Sequence, residues 1–415
     1  MKIGILSQWF DPEPGPAAIP GVFAREFSRA GHEVTVLTGY PNYPEGKVYP
    51  GFRQRIGRVS NVGDIAVSRV PLFPNHNSSA SGRLANYASF AASATAFGRS
   101  ALRDVDAVWV YNSPVTVSLP LLTHTRSGRV PYFLHVQDLW PDSLIESGMF
   151  PGGVVGLSAA AVIRRIVRLT EDRSAAVGII SPSVRDVILS RNPNISPAKI
   201  TYVPNPTDET LFRPVSVYRE AKKSAIDRDT FTLMYVGAIG EVQGLETLLD
   251  AAWILKARPE IRFVIVGDGI ARGRLERDAA DRGLSSVEFV GRIPKESVPE
   301  MMATADAQLV SLAASAFLRH TTPSKIASLL ASEVPIIGQI AGDGAELLVA
   351  SGAALIVDPG DAAGLAHLVE SMADMSPQDR QRMAASGRNF YDRNLSAKVA
   401  AHKIVEALSG AINEY

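Results

Sequence analysis

A passage from a buried strand through a glycine into a helix occurs twice in close succession in the second half of this chain, and it leaves few folds open. It reads FTLMYVGAIGEVQGLETLLDAA from Phe231 and RFVIVGDGIARGRLERDAA from Arg262. In each, an apolar run stops at a glycine, Gly237 or Gly267, and a short loop leads into a helical pattern. Such runs, buried on both faces, belong in parallel sheets covered by helices. A helix that follows a parallel strand opens with unpaired backbone N–H groups and the positive end of its dipole. A cluster of such openings at one sheet edge suits phosphate. The sequence therefore predicts a phosphorylated or nucleotide ligand.

The same alternation runs through the whole chain. In the first half, strands are predicted at Lys2–Ser7, Glu33–Thr38, Ile65–Val70, Ala107–Tyr111, Pro131–Val136, Val177–Ser181 and Ile200–Val203. In the second half they are predicted at Thr232–Val236, Phe263–Val266, Val287–Val290, Ala307–Ser311, Pro335–Ile337 and Ala354–Val357. Gly31, after the helix ending FSRA, has the place of a left-handed C-terminal cap. Ser181-Pro182 reads as an N-cap and first-turn proline. The segment VPNPTDETLFRP, broken by three prolines, is the linker candidate. The expectation is an α/β protein of two doubly wound Rossmann-like domains facing a cleft, residues 1–203 and 215–393, joined through 204–214. The last amphipathic segment, Ser396 to Leu408, fits either domain.

Composition narrows the function. At 415 residues the chain is comfortable for two domains, and its 42 basic and 42 acidic residues leave no net charge. A large nucleic-acid footprint would leave a basic excess, so nucleic acid is not an expected partner. The absence of cysteine excludes disulfides, thiolate-bound zinc and a thiol nucleophile, and fits a cytoplasmic protein. The opening MKIGILSQWF reads as a first strand rather than a signal peptide. The least charged stretch, Leu84 to Gly98, is too short and polar to span a bilayer. Arg164, Arg165 and Arg168 lie beside Ile163, Ile166 and Val167 in a helical pattern, which suits either anionic lipid or solvent, and contact with the inner face of a membrane stays open.

Several clusters carry chemistry, each beside a plainer reading. Gly267-Asp268-Gly269 suggests a dinucleotide turn, but the third glycine, Gly273, falls one position late. An NAD(P)-dependent oxidoreductase would use Asp281 or Glu288 for the ribose. Asp104 and Asp106 are either a metal-holding pair or a solvated strand entry. His135, Asp138 and Trp140 follow one another at the carboxyl end of a strand and suit a sugar, through hydroxyl hydrogen bonds and an apolar ring face; a structural histidine is the alternative. In TPSK, Thr322 is the candidate cap, Pro323 and Ser324 begin the helix, and Lys325 adds charge where a helix disfavours it unless an anion lies near. Arg319 and His320 precede it. The loop from Gly39, with Tyr40, Asn42 and Tyr43, is an acceptor-binding lip or a rigid loop.

Taken in order, DPEPGPAAIPGVFAREFSRAGHEVTVLTGYPNYPEGK, HVQDLWPDS, VPNPTDETLFRP, YVGAIGEVQGLETLL, FVIVGDG, FVGRIPKESVPEMMATADAQLVSL, TPSKIASLLAS and ALIVDPGDAAGLA resemble glycosyltransferase family 4, retaining enzymes of the GT-B fold. Within it they are similar to bacterial surface-polysaccharide transferases of the N-acetyl-L-fucosamine type. The resemblance implies transfer of a hexosyl or N-acetylhexosaminyl group from a nucleotide diphosphate sugar, a UDP sugar, to a glycan, polyprenyl-linked or small glycoside acceptor. It implies that no cofactor or metal is required. It also implies that the C-terminal helix, 394–415, crosses back to the N-terminal domain.

The resemblance further implies that the Gly15 loop approaches the donor diphosphate and that Gly237, Gln243 and Gly244 cover it, with Gly267 beside them. Arg292 and Ile293 would flank the base, and the helix at Pro323 would point at the phosphates. His135 and Asp138 would orient the sugar, with Lys325 opposing the developing charge. Two departures stand out. Ala238 and Gln243 occupy positions where the family has Arg and Lys, and His320 and Ser328 replace its two glutamates. Glu346 is the candidate for the missing ribose contact, and a non-catalytic nucleotide-sugar binder stays open beside the enzyme.

Overall fold

The computed structural model describes residues 1–76, 80–125, 130–142, 145, 153–219 and 230–414. The chain divides into two compact units, Met1–Pro206 with Ala397–Tyr415, and Thr207–Ser396.

The first unit is built on an eight-stranded sheet: β1 (Lys2–Leu6), β2 (Glu33–Gly39), β3 (Val59–Val62), β4 (Ile65–Val70), β5 (Ala107–Asn112), β6 (Tyr132–Val136), β7 (Ala176–Ile179) and β8 (Ile200–Tyr202). Their order is β3-β4-β2-β1-β5-β6-β7-β8. Among these described strands only β3 is antiparallel to its neighbour. It is also the one strand of this unit that the sequence pattern does not show. All four of its residues are exposed at the sheet edge, so nothing selects apolar side chains there.

One face of the sheet buries Ile3, Ile5, Val36, Trp109 and Phe133 against Phe23 and Phe27 of the helix Ile19–Arg29 and against Ala400, Ala401, Ile404 and Leu408 of the helix Ala397–Glu414. Trp109 is fully enclosed, 4.7 Å from the Phe23 ring, and burying a ring of that size contributes about 3 kcal/mol. The C-terminal helix is therefore core material of the first unit. The helix Ile19–Arg29 ends as its sequence suggests, with Gly31 at φ +83° just beyond the cap. The helix Val184–Arg191 begins two residues later than the Ser181-Pro182 signal places it and is entered through Ser183, which makes no side-chain cap.

The second unit is a six-stranded parallel sheet: β9 (Phe231–Val236), β10 (Ile261–Val266), β11 (Val287–Gly291), β12 (Ala307–Ser311), β13 (Ile336–Gln339) and β14 (Ala354–Val357). The order β11-β10-β9-β12-β13-β14 is that of a doubly wound fold, with the winding direction reversing between β9 and β12. Tyr235, Phe263 and Ile265 anchor one core layer with Leu248, Leu249 and Leu365. Val310, Ile326, Leu330, Ile336 and Tyr391 anchor the other.

Candidate active site

Ligands of open parallel sheets bind beyond the carboxyl ends of the strands, where the strand order reverses. In the second unit that point lies between β9 and β12. The loop after β9 is locked to the loop after β10. Ile239 N–H donates to the Asp268 carbonyl at 2.9 Å and Ala271 N–H to the Ile239 carbonyl at 3.1 Å. The crossing is so close that a Cβ on Gly267 would lie 1.8 Å from the Gly237 oxygen, and one on Gly269 would lie 2.2 Å from the Ile239 oxygen. These glycines let two tight strand–helix turns touch backbone to backbone. The β9 loop also closes on itself. Gln243 Oε1 accepts from Gly240 N–H at 3.0 Å, and Gly244 ends the turn at φ +57°. The oxygen of Gln243 is thus spent on its own loop.

Lys325 reaches this loop from the other side of the reversal point. It is the first residue of the helix Lys325–Ala331, entered through Ser324 without a side-chain cap. The expected cap at Thr322, with Pro323 in the first turn, is thus displaced by two residues. The Lys325 Nζ lies 3.6 Å from the centroid of the Tyr235 ring and 2.9 Å from the place of a Gly237 Cβ. The side chain as a whole is partly open, but Nζ itself is covered and makes no hydrogen bond. Burial alone pushes the ammonium from 10.5 down to about 7. A covered cation without a partner is costly, and such groups gather where a ligand completes them.

The other expected donor residues lie around the same sheet. Arg292 is exposed after β11, and Ile293 packs on Met234, Val264 and Val266. Arg319, exposed, and His320, half-buried, share the short turn Leu318–His320, whose Arg319 oxygen would stand 2.1 Å from a Gly342 Cβ. Pro323 is half-buried and Ser324 exposed. Ser328 Oγ lies 2.9 Å from Thr207 Oγ1, so its hydroxyl is engaged within the unit. Glu346 is exposed in the first turn of the helix Asp343–Ser351. Tyr235, which the sequence reading passed over as a strand residue, holds the loop as well as facing Lys325: its hydroxyl donates to the Ala238 carbonyl at 2.6 Å.

In the first unit the strand order reverses between β1 and β5. Gly15 stands in the exposed loop after β1 at φ +65° with open space where a Cβ would be. Two residues earlier is a group that the sequence reading missed. Glu13 is 2% exposed. It accepts the backbone N–H groups of Asn42 at 2.7 Å, Tyr43 at 2.8 Å and Phe10 at 3.2 Å. Burial outweighs these donors and the nearby Arg69, and raises the carboxyl from 4.5 to about 7. Its only sequence signal is an acidic residue inside a loop at a strand end.

Tyr40, Asn42 and His135 need correction. Tyr40 and Asn42 are buried, with the Tyr40 hydroxyl engaged by the Arg55 backbone and the Asn42 side chain by Tyr40 and Asn86. They build the loop and offer an acceptor no surface. His135 is fully buried in β6 among Phe23, Trp109 and Phe133, and its Nε2 meets the Val203 carbonyl at 2.8 Å. Burial lowers it to about 4. It is the structural histidine and has no surface to present to a sugar. Trp140 is also largely buried, against Val115 and Val167.

Tyr43 and Asp138 are more open. The Tyr43 ring stands half-buried between Trp9 and His76. Asp138 accepts from Ser113 Oγ at 2.7 Å, and burial raises its carboxyl against the lowering pull of Ser113 and Trp140. The pair Asp104 and Asp106 sits at the opposite edge, where β5 begins. There Asp106 accepts the Lys2 N–H at 2.6 Å and so takes part in the strand entry.

Comparison with known proteins adds the family. Residues 15–206 match the Glycosyl transferase 4-like domain model, and residues 217–390 match that of Glycosyl transferases group 1. The chain is 29% identical over 348 residues to the putative colanic acid biosynthesis glycosyl transferase WcaI of Escherichia coli K12, covering 80% of this chain and 81% of the relative. Among solved structures it is similar to HepE of Anabaena in complex with UDP and glucose, with TM-score 0.66, 17% identity and 99% of both chains covered. It is also similar to the sucrose-phosphate synthase of Thermosynechococcus elongatus, with TM-score 0.71, 16% identity and 100% of both chains covered. The chain belongs to the glycosyltransferases, as an enzyme of the family 4 type built on the GT-B fold.

Proposed function

We propose that this enzyme is a retaining transferase. It moves a sugar from a UDP sugar to a hydroxyl of a glycan, lipid-linked or small glycoside acceptor in surface-polysaccharide assembly. The observation that carries the reading is Lys325, a covered ammonium with no hydrogen-bond partner among the described residues, beside the glycine loop where the sheet order reverses. As the bond from sugar to β-phosphate breaks, negative charge grows on the departing phosphate. A fixed cation in a water-poor site opposes that charge without reorganising. In a same-face displacement a phosphate oxygen takes the acceptor's proton, so no separate base is needed. With Lys325 supplying the charge, the step is written without a metal. Arg319 is the candidate second cation, and Arg292 and Glu346 flank base and ribose. The colanic acid assignment of WcaI and the UDP bound by HepE support the substrate class.

The test is thermal stabilisation by UDP, dTDP, GDP, ADP and NAD at equal concentration, since a ligand of the folded state raises its stability by RT ln(1 + [L]/Kd). A shift with UDP that is lost in Lys325→Met supports the reading. A shift with NAD alone overturns it. UDP binding without turnover on any acceptor leaves the non-catalytic binder.

Peripheral membrane contact belongs to the same proposal, since a polyprenyl-linked acceptor resides there. Among the described residues no helix is long and apolar enough to cross a membrane. The helix Gly153–Arg173 exposes Leu157, Val162, Arg165 and Arg168, while Arg164 lies 3.8 Å from Asp142. Salt-sensitive pelleting with anionic vesicles supports docking through this helix; no pelleting at low salt counts against it.

A further inference from the structure

We infer that Tyr235 is a positioning residue for transfer: its ring holds the Lys325 ammonium charged and aimed at the donor diphosphate, while its hydroxyl fixes the loop that carries the diphosphate. The inference rests on the role given to Lys325 above and adds a residue that no motif marks.

Two contacts and one close approach meet at one side chain. The ring lies 3.6 Å from Nζ. The hydroxyl donates to the Ala238 carbonyl at 2.6 Å. The hydroxyl also lies 3.1 Å from the place of a Gly237 Cβ, which itself lies 2.9 Å from Nζ. Tyr235 is 1% exposed and wedged in the core with Leu233, Ile239 and Leu249, so it cannot turn away. One rigid group thus sets the distance between cation and loop.

The choice of an aromatic partner has a chemical reason. A carboxylate beside Lys325 would neutralise it and compete with the incoming phosphate. A ring face attracts the ammonium more weakly and accepts no proton. The charge is held in place and stays available. Among the described residues no ionised group shifts Lys325; burial lowers its proton affinity, and the group facing it is the Tyr235 phenol, which burial raises. The loop itself offers Ala238 and Gln243, neither of them charged, so the positive charge is brought in from the helix after β12 and seated on a β9 side chain.

The test is UDP affinity measured by calorimetry from pH 6 to 9 on the whole protein. For the wild type, affinity falls as Lys325 loses its proton. Tyr235→Leu removes the ring but keeps the site apolar. It is expected to weaken UDP roughly tenfold and to move the pH midpoint down by about one unit, because the ammonium loses its attraction to the ring. Tyr235→Phe keeps the ring; it is expected to loosen the loop and weaken UDP a few-fold, with the midpoint retained. A Tyr235→Leu protein with the wild-type midpoint and affinity overturns the inference, as does a midpoint that moves equally in Tyr235→Phe. Lys325→Met separates this from the parent reading: if it binds UDP normally, the role of Lys325 itself falls; if it is impaired while Tyr235→Leu is not, only the present inference falls. Should Tyr235→Leu not fold, the ε-methylene protons of Lys325, assigned by their absence in Lys325→Met, report on the wild-type protein. Ring-shifted resonances are expected there, and ordinary lysine positions overturn the inference.

Discussion

Glu13 accepts the backbone N–H of Asn42 at 2.7 Å and so ties the loop after β1 to the loop after β2. The same carboxyl also receives Tyr43 and Phe10. Its proton affinity is raised from 4.5 to about 7, so the folded state holds a proton that the unfolded chain has released in that window. Its contribution to stability is complete below about 4.5 and is lost as pH rises through about 7. Glu13→Gln is expected to flatten this slope. It is also expected to cost about 1–3 kcal/mol, because one oxygen cannot serve donors on both sides. Urea melts across pH 4.5 to 7 check both.

Lys325→Met should separate stability from function. The buried ammonium is unfavourable, so its replacement by an apolar chain is expected to stabilise the unliganded protein by on the order of 1–4 kcal/mol near neutral pH. In the wild type the unfolded lysine, at 10.5, holds its proton more tightly than the folded one, at about 7, so stability rises with pH between those values. Turnover is expected to fall roughly 100–1000-fold. A variant that melts higher and turns over normally would show the lysine to be a packing group.

Gly267→Ala tests the crossed loops. The added methyl would stand 1.8 Å from the Gly237 oxygen, at a glycine with φ +145°. Overpacking and backbone strain together are expected to cost about 2–4 kcal/mol. Calorimetric melting detects the loss, and nucleotide affinity should fall with it because the same contact shapes the β9 loop.

His135→Ala separates the core from the site. It is expected to destabilise the first unit by about 2–4 kcal/mol by opening a cavity among aromatic rings. Turnover per folded molecule should be unchanged. The wild-type histidine is lowered from 6.5 to about 4, so its contribution is present above 6.5 and is lost on acidification through 4, a slope that the variant lacks. A selective fall in turnover without loss of stability would return His135 to the site.

The strands were legible because parallel strands buried on both faces are apolar throughout, and their carboxyl ends locate the loops without any contact being known. The exposed edge strand β3 carries no such pattern. His135 misled for a related reason: a strand shows that a residue is near the edge but not whether its side chain points into the core. Glu13 and Tyr235 were invisible because what defines them is assembled in three dimensions. The donors to Glu13 come from three different positions, and the cation over Tyr235 is brought by a distant helix. Helix caps shifted by two residues at both Ser181 and Thr322, since either neighbouring serine can enter the turn.

Ala400, Ala401, Ile404 and Leu408 fill the same core as Trp109 and Phe27. On the ribosome, therefore, the N-terminal unit stays unfinished while the whole of Thr207–Ser396 is made, its aromatic layer uncovered on one side until the final helix emerges. An N-terminal fragment cut at Pro206 would inherit that bare surface permanently and would be a substrate for chaperones rather than an independent domain. Adding back the 397–414 peptide is what should quiet it.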